Sequence, residues 1–475
     1  MISLKSVVTA CVIAVVLSCV QPVRSQELDS RPELRTNLSE CIRLALKNSH
    51  ARKAHEYSIR AAEARLKQAQ SGRYPALDFA AAYMVTDEDV NFIFPASTVQ
   101  TSPIDLGMLS LPSLNVGIPQ QDIKMADKRN ALAELNLVWP LFTGGKVTAL
   151  VKQARAGMAL ATCESRADDN RIVYETKKLY YSAVLASNLS KITRETRDRL
   201  LATLKVTERL YQEGSGKVTK SDYLKNKVYV EVAQSLLDQI SGEGENASAA
   251  LAEAMGLDWG MKIAVADEEI PFIVTEEPMD SLVNRLFRWN PQITRVEHAL
   301  DLYRAKIADA RSARFPTLAL ITGYRRILST YDAGMTTPEN KNLWTLGIGM
   351  KMNLFNGFRT GGVVEENKAI LDRIAEQREM LKRGLALSLQ VVYQKLQTAV
   401  RREKSLQEAV NAGLENSQLV ERAYFSDIME LKDLLQVQLT EAFIKAQYQM
   451  IRFESADLRA QLDMLLANPL EASGI

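Results

Sequence analysis

The chain carries nearly the same long pattern twice, first over about residues 38–256 and again over about 280–467. In each copy, helical sequence runs into a proline segment, strand-like residues follow, and a glycine motif ends them. The two proline segments are Tyr74-Pro75-Ala76-Leu77 and Phe315-Pro316-Thr317-Leu318, and the two glycine motifs are Leu141-Phe142-Thr143-Gly144-Gly145 and Leu354-Phe355-Asn356-Gly357-Phe358. A long helical stretch follows each glycine motif. The repeat predicts a duplicated unit of helix, strand, strand and helix.

The helices predicted after the glycine motifs are unusually long. Residues 146–213 contain no proline and a single glycine, Gly157. At about 1.5 Å per residue, such a helix is a rod of about 100 Å. It turns at Gly214-Ser215-Gly216 and returns over about 221–255, and the second copy does the same over about 362–424 and 431–466. Rods of this length are stabilised by packing along their sides, as in coiled coils.

The predicted strands alternate between two kinds of residue. Over 344–354, large apolar side chains alternate with small or polar ones, and in the first copy Leu135, Leu137, Trp139 and Leu141 alternate with Glu134, Asn136 and Val138. Period two places the two sets on opposite faces of a sheet. Alternation alone favours a sheet packed on a protein core. However, the chain offers four such strands, too few to close a barrel, and no core elements besides the long helices, which favours an apolar face in lipid.

The N-terminus resembles a secretory signal peptide over residues 1–25. Lys5 precedes an apolar segment from Val7 to Val20, and Val23-Arg24-Ser25 follows. Cleavage after Ser25 would take the formal net charge from +2 to zero, because Lys5 and Arg24 would be lost. A neutral surface argues against a nucleic-acid partner. The alternative is a bacterial lipobox at Val16-Leu17-Ser18-Cys19, with lipidation of Cys19.

Composition and motifs give catalysis little support. The hydrophobic fraction is 47% and the charged fraction 24%, without an apolar run of 18 residues, so a helical membrane protein is not expected. The three histidines, His50, His55 and His298, lack the spacing of metal ligands, and Cys41 and Cys163 do not make a disulfide framework. No phosphate-binding loop or nucleophile motif occurs. We therefore expect no enzyme activity, no cofactor and no metal site.

Together, the signal peptide, the duplicated unit, the proline and glycine motifs and the Tyr211-x-x-Gly214 turn resemble the TolC family of outer membrane efflux proteins. The resemblance implies an α+β membrane protein and a homotrimer. Three chains would contribute four strands each to one 12-stranded β-barrel in outer membrane lipid, which continues into a long periplasmic α-helical barrel. The implied domains are a signal peptide (1–25), a first repeat (26–257), an irregular linker in an equatorial belt (258–279), a second repeat (280–467) and a tail (468–475).

The loops opposite the helices would face outside the cell, over 86–130 and about 328–342. The first is unusually long. Its content of Pro, Ser and Asp favours an ordered or flexible cap over a dedicated receptor site.

The resemblance also implies a gate at the periplasmic hairpin tips. Asp433 matches a family position whose three copies form an acidic ring that attracts cations. Gln436 stands where the best known member has a second aspartate, so one ring is expected. Ser221, Asp222 and Tyr424 match residues that tie the closed gate by hydrogen bonds, whereas Met429 replaces an arginine of that lock. For Asp222 and Asp433, a helix cap or a favourable helix-dipole position is the alternative.

The tips themselves would contact a periplasmic adaptor. The matching turns are Gly214-Ser215-Gly216 and Ser426-Asp427, and a plain tight turn with a left-handed glycine is the alternative for the first. The implied function is a passive exit duct, in the outer membrane of a Gram-negative bacterium and reaching into the periplasm. It would work with an adaptor and an inner membrane RND or ABC transporter, in efflux or type I secretion. A periplasmic coiled-coil adaptor or scaffold is the alternative, and the cargo stays open.

Overall fold

The eight helices of the described chain form four pairs of equal length. The computed structural model describes residues 33–214, 218–258, 260–274, 277–329, 337–338, 341–426 and 428–467. In chain order the helices are α1 (Leu38–Asn48), α2 (His50–Ser71), α3 (Lys146–Gln212), α4 (Lys220–Ala254), α5 (Met279–Trp289), α6 (Pro291–Ser312), α7 (Arg359–Phe425) and α8 (Leu431–Leu465). The lengths of 11, 22, 67 and 35 residues each occur twice, in the same order.

The predicted long helices are confirmed to within a few residues. Their uninterrupted runs follow from the absence of proline, which would remove a backbone donor and clash with the preceding turn. Asn37 accepts a hydrogen bond from the Glu40 backbone N–H at 2.9 Å and so caps the start of α1. The predicted signal peptide, Cys19 and the predicted tail lie outside the described residues.

None of the helices in the described ranges is long and apolar enough to cross a bilayer.

Twelve strands occur in the described residues, and four of them make one antiparallel sheet in the order β12-β11-β9-β2. These four are β2 (Ala76–Val85), β9 (Arg129–Phe142), β11 (Thr317–Ser329) and β12 (Asn342–Lys351). The register sets Leu77 opposite Leu137, Tyr324 opposite Leu135, and Ile348 opposite Leu320. Directly opposed residues share a face, so the predicted alternation becomes one apolar face across all four strands.

The opposite face of this sheet is polar. It holds Asp78 opposite Asn136, and Glu134 opposite Arg325, which form a salt bridge. Gly323 also lies on this face, where an added Cβ would come within 2.6 Å of the Asn136 Oδ1 atom. Any larger residue at 323 would therefore displace the polar side chains beside it.

Residues 86–128 lie in the segment predicted to be a loop (86–130), but they form a two-stranded ribbon. Its strands are β3 (Val90–Phe94), β4 (Ser97–Gln100), β5 (Ile104–Asp105), β6 (Ser110–Leu111), β7 (Asn115–Ile118) and β8 (Gln121–Ala126). They pair as nested antiparallel couples, β3 with β8, β4 with β7 and β5 with β6. Prolines at 95, 103, 112 and 119 fall between the strands, where no ladder hydrogen bond is lost.

The prediction that residues 258–279 form an irregular linker is also partly wrong. β10 (Lys262–Val265) lies within it and pairs in parallel with β1 (Glu33–Thr36). Two four-residue strands far apart in sequence carry no periodic signal of their own. Each becomes a strand because the other supplies its hydrogen bonds.

The described chain divides into two compact units. One comprises residues 33–53, 166–290 and 383–467, and its core gathers Cys41, Tyr180, Leu251, Met255 and Ile270. Cys41 and Cys163 are buried, and burial raises the pKa of the Cys41 thiol. The other unit, residues 54–165 and 291–382, contains the four-stranded sheet and the ribbon.

Candidate functional site

The first hairpin tip, between α3 and α4, is stabilised by contacts between residues that are close in sequence. Gly214 has a φ of +64° and its N–H donates to the Tyr211 carbonyl at 3.2 Å, so the turn uses the left-handed conformation that glycine allows. The rings of Tyr211 and Tyr223 stack across the turn, with centroids 5.9 Å apart. Ser215 and Gly216 lie outside the described residues, and Ser221 is exposed.

Asp222 completes a capping box at the start of α4. The Thr219 hydroxyl accepts from the Asp222 N–H at 3.2 Å, and the Asp222 carboxylate accepts from the Thr219 hydroxyl at 2.6 Å and from its N–H at 3.2 Å. The hydrogen bond from the Thr219 side chain holds the pKa of Asp222 below its ordinary value. Of the two interpretations of Asp222, the helix cap is thus confirmed, while a role in the gate stays a prediction.

The second tip, between α7 and α8, lacks such a cap. Its turn closes through backbone bonds, from the Ile428 N–H to the Ala423 carbonyl at 2.9 Å and from the Ser426 N–H to the Arg422 carbonyl at 3.1 Å. Glu430 is the N-cap residue of α8, and its side chain makes no capping hydrogen bond. Asp427 lies outside the described residues.

Asp433 and Gln436 occupy the first turns of α8. Asp433 is half-buried and Gln436 is exposed. Because Glu430 is the N-cap, the suggestion that Asp433 caps the helix is wrong, although a carboxylate in the first turn still favours the helix dipole. Within the described part of the chain, no side-chain hydrogen bond or ion pair holds the Asp433 carboxylate. Apart from this favourable position in the first turn, its charge therefore has no local structural role among the described residues.

Tyr424 lies against a small apolar cluster beneath both tips. The cluster consists of Leu200 on α3, Val230 and Ala233 on α4, and Leu431 and Leu435 on α8. Tyr424 itself stands on α7, so all four helices meet here. The structure thus brings one predicted gate residue onto the packing that joins the two hairpins, while Ser221 stays at the surface.

Sequence reasoning missed an ionic network that also joins the hairpins. Arg199 of α3 donates to Glu441 of α8 at 2.7 Å and to the Ser417 hydroxyl of α7 at 2.7 Å. Lys445 donates to the other Glu441 oxygen at 2.6 Å. Glu441 is buried, with 6% of its side chain exposed. The signal that could have predicted this network is a glutamate among the buried positions of a long helix, because a buried charge needs partners.

The partners of Glu441 decide its charge state. Burial by itself would raise the pKa of this carboxyl group, but hydrogen bonds from Lys445, Ser417 and Arg199 outweigh it and leave the pKa lowered. The carboxylate is therefore ionised at neutral pH. It binds one helix of the first hairpin to both helices of the second.

No cluster of three or more His, Cys, Asp or Glu side chains suited to a metal ion is present among the described residues. The tips instead contain an apolar cluster, a helix cap and a carboxylate, that of Asp433.

The fold of this chain is also found in solved structures of other proteins. The chain superposes on a membrane protein from Pseudomonas aeruginosa with a TM-score of 0.72 and 18% identity, over 93% of this chain and 96% of that one. It superposes on the Campylobacter jejuni CmeC outer membrane channel with a TM-score of 0.72 and 15% identity, over 91% of this chain and 86% of that one. At these identities the likeness concerns the fold alone.

The chain belongs to the outer membrane efflux protein family, whose sequence profile matches residues 41–257 and 282–467. It is also similar to the outer membrane protein TolC of Vibrio cholerae, with 20% identity over 254 residues. That match covers 53% of this chain and 57% of the relative, so the chain spans little more than half of TolC in this comparison. The family is one of channels in the outer membrane, not one of enzymes.

Proposed function

We propose that this protein is the exit duct of a tripartite efflux pump or a type I secretion system. Three copies would form one 12-stranded barrel in the outer membrane, and their long helices would form a periplasmic tunnel. The observation that carries the proposal is the apolar face of the four-stranded sheet. Its large side chains are exposed in the single chain, among them Phe79, Trp344 and Ile348, which are each more than 70% exposed.

The edges of this sheet support association with other copies. β2 and β12 are its two outer strands, each with one side lacking a strand partner within the described residues. In lipid, unpaired backbone groups cost several kcal/mol each, so a spanning sheet has to close. Four strands cannot close on themselves, whereas β12 of one copy can pair with β2 of the next until a ring forms. The polar face, with Asp78, Glu134 and Arg325, would then line a water-filled lumen.

A matched pair of substitutions on β12 tests this assignment. Leu346→Arg places a charge on the apolar face, where contact with lipid at the bilayer midplane would destabilise the barrel by about 2–4 kcal/mol. Thr345→Arg places the same side chain on the opposite, polar face. We expect detergent extracts of outer membranes to lose most of the trimer with Leu346→Arg. With Thr345→Arg we expect the trimer to persist, with single-channel currents shifted toward anion selectivity.

Two outcomes would contradict the assignment. Equal recovery of both variants as trimers would mean that neither face meets lipid. Greater loss with Thr345→Arg would mean that the faces are reversed. Western blotting of unheated samples, together with planar bilayer recordings, distinguishes these results.

The gate and the partners are part of the same proposal. Asp433, Gln436, Ser221, Asp222 and Tyr424 would form the periplasmic gate. The turns at Gly214-Ser215-Gly216 and Ser426-Asp427 would meet the adaptor, and an RND or ABC transporter would supply the energy. The carboxylate of Asp433 accepts no side-chain hydrogen bond from the described residues, which supports an acidic ring at this entrance.

The domain organisation follows the same plan. Residues 1–25 would direct export, 26–257 and 280–467 would be the two repeats, and 258–279 would belong to a belt around the tunnel. The two sets of helices with equal lengths support a duplication.

The other candidate, a periplasmic adaptor or scaffold, is favoured only by the helical hairpins. Fractionation with and without detergent separates the two functions. Recovery as a soluble periplasmic monomer would reject the duct, whereas recovery only in detergent, as a trimer, would reject the adaptor.

A further inference from the structure

A cavity of about 570 Å³ lies where the four-stranded sheet meets the helices of the same compact unit. It is lined by the start of α3, the last turns of α6, the start of α7, the first residue of β11 and the last residue of β12. The lining includes the polar side chains of Thr143, Gln153, Asn353 and Asn367. A cavity of this volume is large enough for a small ligand.

Three lysines from three different elements line this cavity. Lys146 is the first residue of α3, Lys306 lies on α6, and Lys351 ends β12. Among the described residues of the lining, the acidic side chain is that of Asp309, which accepts a hydrogen bond from the Gln153 amide at 3.3 Å. Three lysines and one aspartate give the lining a formal charge of +2.

The lysines have no acidic partners of their own. Within the described ranges, no carboxylate forms a salt bridge with Lys146, Lys306 or Lys351. The Lys306 ammonium instead lies 4.3 Å from the centroid of the Tyr303 ring. Lys306 is half-buried, so its charge loses part of its hydration without gaining a counter-ion. Charges of one sign that line a cleft focus their field in it, so the cavity attracts anions.

The cavity lies on the polar side of the sheet. Thr317 and Lys351 line the cavity and are directly opposed in the register of β11 and β12, whereas the next pair, Leu318 and Met350, belongs to the apolar face. Because successive pairs along a ladder point to opposite faces, Lys351 shares the polar face with Arg325. The face assigned to lipid is the other one, so the cavity would open to the lumen of the proposed duct.

We propose that this cavity binds the negatively charged group, a phosphate or a carboxylate, of anionic cargo that passes through the duct. The inference rests on the proposed function and adds the charge of its cargo. Three copies in one ring would place three such cavities around the lumen at one level. Ammonium groups on flexible stems hold an anion as point charges, without the fixed fork of arginine, which suits cargo that has to leave again.

Pyrophosphate is the probe for a direct binding test on the full-length, detergent-solubilised trimer. Isothermal titration calorimetry at low ionic strength should detect saturable binding, and Lys306→Met should weaken it about tenfold because one of three cations is lost. Lys152→Met is the matched control and should change the affinity less than about twofold. Lys152 is exposed and precedes Gln153 on α3, but it does not line the cavity.

Reversal potentials in planar bilayers under a KCl gradient test where the lysines point. Lys351→Met should shift the reversal potential toward cation selectivity, because a positive charge leaves the lumen, and Lys152→Met should not. Loss of pyrophosphate binding without any shift in the reversal potential would assign the lysines to phosphate groups of lipid outside the lumen. That result would overturn the assignment to cargo.

The possible results separate this site from the duct. A trimer that binds no pyrophosphate, or that loses binding equally with Lys306→Met and Lys152→Met, overturns the site and leaves the duct in place. Recovery of the unsubstituted protein as a soluble monomer overturns the duct and the cargo with it, even where pyrophosphate binds. Trimer recovery is measured for every variant, and Lys146→Met, with the same expected loss, replaces Lys306→Met if that variant does not assemble.

Discussion

The two hairpin tips have helices of the same lengths but different chemistry. At the first tip, the capping box of Thr219 and Asp222 and the stacked rings of Tyr211 and Tyr223 hold the turn through residues close in sequence. At the second, Glu430 gives no side-chain cap, and the helices are instead joined through Arg199, which lies more than two hundred residues away. One tip is fixed locally and the other by tertiary contacts.

If the tips form the proposed gate, this difference predicts which hairpin moves. A capping box breaks only when its own helix frays, so we expect the first tip to keep its structure when the hairpins move. The second tip depends on an ionic network and an apolar cluster that a movement between the hairpins would disrupt. We therefore expect the second hairpin to be the moving element of the proposed gate, and hydrogen exchange at the two tips can test this expectation.

The largest effect is expected from Arg199→Met. The substitution keeps an apolar stem but removes one of the two described cations that bind the buried Glu441, at a cost of about 2 kcal/mol. Exchange of the backbone amides over 428–436 should become about thirtyfold faster, while that over 220–226 changes little. Arg209→Met, an exposed arginine on the same helix, is the control and should leave both tips unchanged. Equal acceleration at both tips would remove the distinction between them.

Acidification should act on the same network. Glu441 has a lowered pKa in the folded chain, so its contribution to stability is complete above its ordinary value of 4.5 and is lost as the pH falls through the folded value. Wild-type helical stability, measured as the thermal midpoint by circular dichroism in detergent, should therefore drop in this acid range. Glu441→Gln should be less stable at neutral pH and show a flatter profile. Exposed Glu415→Gln serves as the control and should keep the wild-type profile.

A smaller effect is expected at the first tip. Thr219→Ala removes the hydroxyl of the capping box and should weaken the start of α4 by about 1 kcal/mol. Amide exchange over 220–226 should become about fivefold faster, and that over 428–436 should not change. Thr219→Ser restores the hydroxyl and should restore protection. A response of the second tip to Thr219→Ala would show that the tips are coupled.

The smallest effect on stability is expected from Asp433→Asn, within about 0.5 kcal/mol, because no side-chain hydrogen bond is lost. Its effect should instead appear in function, as weaker block of single-channel current by multivalent cations. Glu430→Gln is the matched comparison, since the Glu430 carboxylate is already paired with Lys432 at 2.9 Å. Unchanged block in Asp433→Asn would reject the acidic ring, and equal loss in both variants would assign the block to general charge at the tip.

Much of the fold could be predicted because its signals are long and periodic. The absence of proline across 146–212 lets a helix of that length run without a break, and strict alternation over 344–350 assigns each of those side chains of β12 to a face. The missed elements give short signals or none. β1 and β10 are four residues each, and the ribbon strands are broken by prolines that are typical of loops.

The candidate site divides in the same way. The turn at Gly214 and the start of α4 follow from neighbouring residues, so the sequence indicates them directly. Arg199 gives no such indication, because its partners Ser417 and Glu441 are distant in the chain and become neighbours only when α3, α7 and α8 pack together.

The sequence by itself determined where helices run, which strand residues share a face and how the first tip is capped. These features depend on backbone geometry and on contacts within a few residues. The tertiary structure decided that 86–128 is a ribbon, that β1 pairs with β10, and that a buried glutamate joins the two hairpins. Those features require hydrogen bonds between distant segments, and their donors and acceptors meet only after the chain has folded.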